Sequence, residues 1–196
     1  MAFNELARKA IQSDPDFQDG NYLHTNTTPA DGLALARMIA HVTYLSDDAM
    51  GEKFGRDISS GSFALGQDDH VEFQVQRYLR YQGQKFVGSF DANSYILITE
   101  VLDYFDLARE YGDDPITAFA QSDCKFLVIS FSSDWRFAKE RSREIRDALV
   151  AANKSVTYAE IESDIGHDAF LLPNHRYEKL FAAYMSNITV DGEDAK

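Results

Sequence analysis

The chain has 196 residues, a formal net charge of −13 and 44% hydrophobic residues. This length and composition suit one large globular domain and exclude a disordered or fibrous chain. The excess of acidic residues argues against non-specific binding to nucleic acid or to an anionic membrane surface. A single cysteine, Cys124, excludes an internal disulfide framework and a cysteine-based metal site. Neither a membrane-spanning apolar stretch nor a signal peptide is evident, so we predict a cytoplasmic protein.

The first 112 residues show helical periodicity and little strand pattern. A clear helix start occurs at Thr28 and Pro29, because threonine can cap the amide of Asp31 and proline is favoured at the first helical position. We predict that this helix continues to about Leu45.

This predicted helix has two distinct faces. Apolar residues spaced i, i+3, i+4 and i+7 form a stripe that we expect to be buried. The stripe consists of Leu35, Met38, Ile39 and Val42. A second face is polar and aromatic and carries Arg37, His41 and Tyr44. Further helices are predicted over residues 47–54, 70–81 and 91–105, with a loop over residues 55–69.

From residue 113 the pattern changes to helix, strand, helix, strand, helix. Residues 125–131 (KFLVISF) and 155–161 (SVTYAEI) predict two strands, the first covered on both faces. A helix over residues 137–152 connects them, and residues 176–185 predict a closing helix. This order with short joins implies a parallel pair with a right-handed crossover. The connecting helix is expected to face inward through Ile145, Ala148, Leu149 and Ala152.

Polar residues with catalytic potential follow both predicted strands. Asp134 comes after the first strand and His167 after the second. Because the carboxyl ends of parallel strands meet at one edge of a sheet, we expect these side chains to lie close together. A carboxylate that orients an imidazole forms the acid and base part of a Ser, Asp, His triad. For each residue alone a structural role remains an alternative, with Asp134 as a helix cap and His167 as a loop histidine.

The third member of such a triad is missing from these residues. The G-x-S-x-G pattern of a nucleophile elbow does not occur in the sequence. Serines near glycines lack the strand, turn and helix that the elbow requires, namely Ser60, Ser62 and Ser89. We predict no metal site, because three further histidines have no partner at metal-ligand spacing, namely His24, His70 and His175.

Several long segments together carry a family resemblance. They include AFNELARKAIQSDPDF, GLALARMIAHVTYLSDDAM, FQVQRYLRYQG, KFVGSFDANSYILIT, FLVISFSSDWRF and YAEIESDIGHDAFLL. From Ala2 to about Tyr184, the sequence resembles the C-terminal half of the homoserine O-acyltransferases, an α/β-hydrolase family that makes O-acylhomoserine for methionine biosynthesis.

The resemblance implies an α/β fold, in which the C-terminal part of an α/β-hydrolase is preceded by an inserted helical lid. Residues 1–16 would end the N-terminal hydrolase portion, and residues 17–112 would form the lid and dimerisation segment. Residues 113–188 would complete the hydrolase core, followed by a frayed tail over residues 189–196. In the family, the nucleophilic serine lies upstream of the matching region, so we expect this chain to be a fragment that is inactive alone.

The resemblance also implies roles for individual residues. Asp134 in SSDWRF matches the triad acid, and His167 in GHDAF matches the triad base. Asp168 matches the aspartate that binds the ammonium group of homoserine. Arg37 matches the arginine that binds its carboxylate, with Tyr44 on the same helical face. The alternatives are that Arg37 is a solvated surface charge and that Asp168 caps a helix.

Acyl-CoA is the expected co-substrate, and no other cofactor is implied. Arg136, two residues after the triad acid, could pair with the free carboxylate of a succinyl group, whereas an acetyl group offers it nothing to bind. The motif D-W-R-F resembles the succinyl-using members of the family. We therefore favour succinyl-CoA over acetyl-CoA as the donor and keep acetyl transfer as the alternative.

A function of another class also fits the sequence. The chain could be a non-catalytic fragment whose helical segment forms a homodimer, leaving the triad residues idle. The expected partners under the enzymatic interpretation are L-homoserine, acyl-CoA and a second copy of the chain, without nucleic acid or membrane.

Overall fold

The structure, a computed structural model, describes residues 1–61 and 71–190, and its side chains through residue 188. The chain forms two compact units. The helical unit comprises Met1–Thr43 and Met50–Phe105, and the α/β unit comprises Tyr44–Ala49 and the chain from Asp106 onward. The helices are α1 (Ala2–Gln12), α2 (Ala30–Tyr44), α3 (Asp47–Phe54), α4 (Gln74–Val87), α5 (Ala92–Tyr104), α6 (Pro115–Ala120), α7 (Lys139–Ala151) and α8 (His175–Val190). The strands are β1 (Ile58–Ser60), β2 (Glu72–Phe73), β3 (Phe126–Phe131) and β4 (Val156–Ile161).

The core of the helical unit lies where α1 and α2 approach each other. Ile11 of α1 and Leu33 of α2 are fully buried. Gly32 permits the approach, because a Cβ atom there would lie 2.6 Å from the carbonyl oxygen of Ala10 and 2.7 Å from the Cα of Ile11. Phe17 and Tyr22, from short 3₁₀ turns, complete the buried cluster.

The buried face of α2 differs from the one predicted. Leu33 and Ala36 are fully buried, whereas Leu35 is 47% exposed and Val42 is 44% exposed. The predicted buried stripe is therefore wrong for Leu35 and Val42, while its other two residues, Met38 and Ile39, are half-buried. The reason is that the buried cluster of the helical unit contacts α2 through Leu33 and Ala36, which lie on a different face of the helix from that stripe.

The other predicted helices of this region occur with modest shifts in their bounds. Helices α3 and α5 match the predictions closely. Helix α4 was predicted over residues 70–81 but runs from Gln74 to Val87, straight through Gly83. Gly83 is buried against α2, where a Cβ atom would lie only 2.9 Å from the carbonyl oxygen of Ala34. Strands β1 and β2 pair antiparallel at the two ends of the predicted loop, whose residues 62–69 lie outside the described ranges.

The α/β unit contains the predicted parallel pair. Strands β3 and β4 pair in parallel from Phe126 opposite Val156 to Phe131 opposite Ile161, and α7 connects them. This arrangement confirms the predicted α/β class. Ala148 and Leu149 of α7 are buried as expected, but Ile145 is 44% exposed, which corrects its predicted inward orientation. Ile145 lies one turn before Ala148 and Leu149 on the same side of α7, so the burial of this side does not extend to the earlier turn.

Helix α8 closes the described part of the chain. It starts one residue before the predicted bound and continues to Val190, while residues 191–196 of the predicted tail lie outside the described ranges. Tyr177 and Leu180 of α8 pack against the buried cluster of Phe131, Ile161 and Ala169. Among the described residues, no helix is both long and apolar enough to cross a membrane.

Candidate active site

Asp134 and His167 meet at the carboxyl ends of β3 and β4, as the sequence predicts. The distance from His167 Nδ1 to Asp134 Oδ2 is 2.7 Å. Asp134 is only 8% exposed, and the side chain of His167 is 28% exposed. A buried carboxylate on Nδ1 fixes the tautomer of the imidazole and leaves Nε2 as the nitrogen that can accept and return a proton.

The second oxygen of Asp134 is held by the backbone. Oδ1 accepts hydrogen bonds from the amides of Arg136 (3.1 Å) and Phe137 (2.8 Å). The capping role considered as an alternative is thus present, although on the turn before α7, whose own N-cap is Ala138. Capping and orientation of the imidazole are compatible here, because the two tasks use different oxygens of one carboxylate.

His167 lies among three aromatic rings. Its ring centroid is 4.6 Å from that of Phe137, 5.4 Å from that of Tyr44 and 5.5 Å from that of Phe170. These rings shield the imidazole while part of the side chain stays accessible. Such shielding strengthens the hydrogen bond to Asp134 by lowering the local dielectric constant.

A cavity adjoins this pair in the α/β unit. Its volume is about 440 Å³, and Asp134 and His167 lie in its wall. Most of the remaining lining is apolar and aromatic and comes from β3 and α8, including Ile129, Phe131, Tyr177, Phe181 and Tyr184. An apolar cavity with a few convergent polar groups is the usual form of a small-molecule or acyl site.

Arg136 and Tyr44 lie beside the pair. The guanidinium carbon of Arg136 is 5.5 Å from the ring centroids of both Tyr44 and Phe137, the same two rings that flank His167. This places a cation over aromatic faces next to the imidazole. The structure therefore brings Asp134, His167, Arg136 and Tyr44 together within the α/β unit.

The other two predicted substrate-binding residues have different settings. Asp168 is half-buried and follows His167 in a 3₁₀ turn whose N-cap is Gly166, so the predicted capping alternative for Asp168 does not apply. Arg37 belongs to the helical unit, where its guanidinium carbon lies 5.0 Å from the ring centroid of Phe86. Arg37 is half-buried rather than a fully solvated charge.

Sequence reasoning missed the residues that hold the two loops in place. The Ser133 hydroxyl accepts a hydrogen bond from the amide of Gly166 (2.9 Å), and the indole of Trp135 donates to the carbonyl oxygen of Leu45 (3.0 Å). Ser46 contacts the loop that carries His167 through both its backbone and its hydroxyl. Gly166, which has a positive φ, was the one local signal, since a glycine directly before the candidate base suggests a constrained backbone.

Over almost its whole length the chain is similar to curated homoserine O-succinyltransferases. The chain is 68% identical over 190 residues to a homoserine O-succinyltransferase of Cellvibrio japonicus, a match covering 97% of this chain and 50% of the relative. It is 63% identical over 191 residues to the homoserine O-succinyltransferase of Saccharophagus degradans and 61% identical over 191 residues to that of Teredinibacter turnerae, with the same coverage. The chain thus spans about half the length of the curated relatives it matches. No protein-family model matches it.

Solved structures support the fold independently. A homoserine O-acetyltransferase from Bacillus anthracis superimposes with a TM-score of 0.72 at 20% identity, covering 84% of this chain and 43% of that one. The esterase E22 L374D mutant gives a TM-score of 0.70 at 20% identity, with 85% and 45% coverage. At this identity the likeness shows the fold alone, which is that of the α/β-hydrolases.

Proposed function

Since this chain is a partial-length relative of the homoserine O-acyltransferases, we propose that it supplies the acid and base of such an enzyme, whose nucleophilic serine lies outside the 196 residues. The reaction is transfer of a succinyl group from succinyl-CoA to the hydroxyl of L-homoserine, a step of methionine biosynthesis. The observation that carries the proposal is the hydrogen bond of 2.7 Å between His167 and the buried Asp134 at the ends of adjacent parallel strands.

The proposed chemistry has two half-reactions that share one base. His167 takes the proton of the serine hydroxyl through Nε2 as the serine oxygen attacks the thioester carbonyl, and it returns the proton to the departing thiolate of CoA. His167 then takes the proton of the homoserine hydroxyl as that oxygen attacks the acyl-enzyme, and the proton goes back to the serine. Asp134 remains ionised and stabilises the imidazolium formed in each half-reaction.

Two charged residues are proposed to bind the zwitterionic homoserine. Asp168, beside the base, binds the ammonium group, and Arg37 binds the carboxylate. Tyr44, whose ring lies beside the imidazole, offers its hydroxyl to the substrate. A half-buried guanidinium and a half-buried carboxylate bind such groups more strongly than fully solvated ones, because water competes less for their hydrogen bonds.

Arg136 supports succinyl-CoA as the donor. Its guanidinium lies against the Tyr44 and Phe137 rings, which also flank the imidazole. The carboxylate of a succinyl group transferred to a serine beside His167 would therefore meet a cation. Acetyl-CoA remains the alternative donor, and a non-catalytic fragment that dimerises through the helical segment remains the alternative of another class.

The test joins this chain to the half of the Cellvibrio japonicus relative that it does not match. We expect the hybrid to acylate L-homoserine with succinyl-CoA and the 196-residue chain alone to show no turnover. In the hybrid, Asp134→Asn should lower kcat by about 10³-fold or more, because the imidazole loses its orienting anion. Full activity of the hybrid that carries Asp134→Asn, or turnover by the isolated chain, would contradict the proposal.

The donor assignment is decided by a second substitution in the same hybrid. Arg136→Leu should lower kcat/KM for succinyl-CoA about tenfold or more while leaving that for acetyl-CoA nearly unchanged, because only the succinyl carboxylate loses a charged partner. An unchanged ratio of the two kcat/KM values would show that Arg136 does not select the donor.

A further inference from the structure

The segment Tyr44–Ala49 comprises the last residue of α2, the two joining residues and the first turn of α3, and it belongs to the α/β unit rather than to the helical unit. Ser46 is its most firmly held residue and is only 5% exposed. Its backbone amide donates to the carbonyl oxygen of Ile165 at 3.0 Å. Its hydroxyl donates to the carbonyl oxygen of Asp164 and accepts from the amide of Ala49 at 3.0 Å. One buried serine therefore holds two consecutive residues of the loop that ends in His167.

The same segment also holds the loop that carries Asp134. The indole Nε1 of Trp135, the residue after the acid, donates to the carbonyl oxygen of Leu45 at 3.0 Å. Leu45 in turn forms an isolated antiparallel bridge with Gly166, the residue before the base. Gly166 lies so close that a Cβ atom there would be 2.6 Å from the amide nitrogen of Ser46. The segment is thus bonded to the neighbour of each member of the pair.

A side-chain hydrogen bond joins Asp134 directly to His167. Productive triads need their groups held to within about 0.5 Å, and a loop histidine reaches this precision only when its backbone is fixed from outside. Within the described residues of the α/β unit, the loop backbone from Asp164 to Gly166 is held by the Tyr44–Ala49 segment and by Ser133, and the amide of Ile165 also donates to the Ser163 hydroxyl at 3.2 Å.

We propose that Ser46 is a positioning residue for the Asp134 and His167 pair. Ser46 acts through the backbone of residues 164–166 and thereby fixes the position of the His167 imidazole relative to Asp134 Oδ2. It contacts neither substrate. Trp135 is its counterpart on the acid loop. The kinetic consequence of this inference rests on the proposed function, whereas the structural consequence does not.

The test follows the imidazole proton directly. In the hybrid enzyme labelled with ¹⁵N at histidine, the proton on His167 Nδ1 should give a downfield NMR signal that His167→Gln removes. Ser46→Ala should broaden this signal or shift it toward the value of a solvent-exposed imidazole. The same substitution should lower kcat about ten- to hundredfold, while KM for L-homoserine should stay within about twofold of the wild-type value. Ser46→Thr, which keeps the hydroxyl, should restore much of the signal and of kcat.

Ser122→Ala is the matched control, because Ser122 also bonds a loop amide of the α/β unit, that of Cys124, at 3.2 Å. It should change neither the signal nor kcat. If the Ser46→Ala enzyme is too unstable to study, Trp135→Phe removes the bond to Leu45 and should shift the same signal. Wild-type signal and kcat in the Ser46→Ala or the Trp135→Phe enzyme would overturn the inference. If the signal responds to Ser46→Ala but the hybrid does not acylate homoserine, the positioning role of Ser46 stands and the proposed function is contradicted.

Discussion

His41 is a buried residue of the helical unit whose environment keeps it neutral. It is 8% exposed, and its Nδ1 lies 3.3 Å from the hydroxyl of Tyr78. Within the described residues, its Nε2 is buried without a hydrogen-bond partner. Burial, followed by the charges of Arg37 and Lys53, lowers the pKa of His41 from 6.5 to about 4. These contacts are those of a structural histidine, because a neutral imidazole can accept a hydrogen bond from the Tyr78 hydroxyl at Nδ1.

This lowered pKa makes stability depend on pH. Between pH 6.5 and pH 4 the unfolded state binds a proton at His41 that the folded state does not, so stability falls as the pH falls through this window. We expect His41 to account for a loss of about 2 kcal/mol in the free energy of unfolding between pH 7 and pH 5. Urea unfolding of the wild type and of His41→Asn at both pH values measures this difference, which should be smaller in the variant by that amount.

The control for this measurement is His24→Asn, because His24 is an exposed histidine of the same unit. Its pH dependence should equal that of the wild type. Equal pH dependence of His41→Asn and the wild type would show that the buried imidazole titrates normally.

Single residues also show what the sequence could and could not predict about the site. Asp134 and His167 were predictable as a pair, because each follows a strand and parallel strands end at the same edge. Ser46 was not, because its hydroxyl bonds the carbonyl oxygen of Asp164, 118 residues further along the chain. A contact of that kind leaves no local pattern.

The turn that joins β4 to the His167 loop depends on one glycine. Gly166 has φ +96° and ψ −150°, a conformation open essentially to glycine alone. A Cβ atom there would also lie 2.6 to 2.8 Å from backbone atoms of Ser46, Leu45 and Tyr44. Backbone atoms cannot move aside as a flexible side chain can, so the whole junction would have to shift.

We therefore expect Gly166→Ala to destabilise the protein by roughly 3 kcal/mol, from backbone strain and overpacking together. Denaturant unfolding of the 196-residue chain measures the loss. Gly51→Ala serves as the comparison, because a Cβ atom at Gly51 meets nothing within 4 Å and its helical position favours alanine. A loss below about 1 kcal/mol for Gly166→Ala would mean that the junction can relax.

Secondary-structure elements were predicted well where the local sequence pattern defines them, and poorly where packing against other elements determines which residues are buried. The continuous apolar run over residues 125–131 predicted β3, and the prediction of a strand over residues 155–161 matches β4. On α2, periodicity located an apolar stripe but could not tell that the helix is buried through Leu33 and Ala36 instead. On α4, the glycine that would weaken an isolated helix, Gly83, is required by the close approach of Ala34. Burial depends on tertiary partners, which a single segment does not specify.

At the scale of the whole molecule, helix α5 leaves a large apolar face uncovered. Leu97 is 61% exposed, Val101 58%, Leu102 62% and Phe105 72%. Leu97 and Val101 lie in adjacent turns of α5, and Phe105 directly follows the last residue of the helix, three positions after Leu102. Contiguous exposed apolar residues of this kind mark an interaction surface. In the proposed homodimer through the helical segment, the same face of a second copy would cover this face, because a two-fold interface uses the same surface on both subunits.

We expect the hybrid enzyme to sediment as a dimer and its double variant Leu97→Glu, Val101→Glu to sediment as a monomer, because two carboxylates per copy would have to be desolvated in the interface. Analytical ultracentrifugation measures the mass, and far-ultraviolet circular dichroism checks that the helices persist. Val150→Glu is the matched control, since Val150 is 59% exposed on α7 of the α/β unit, and it should leave the dimer intact. A dimer that survives the α5 double substitution would exclude this face as the interface. A wild-type hybrid that sediments as a monomer would remove the homodimer from the proposed assembly.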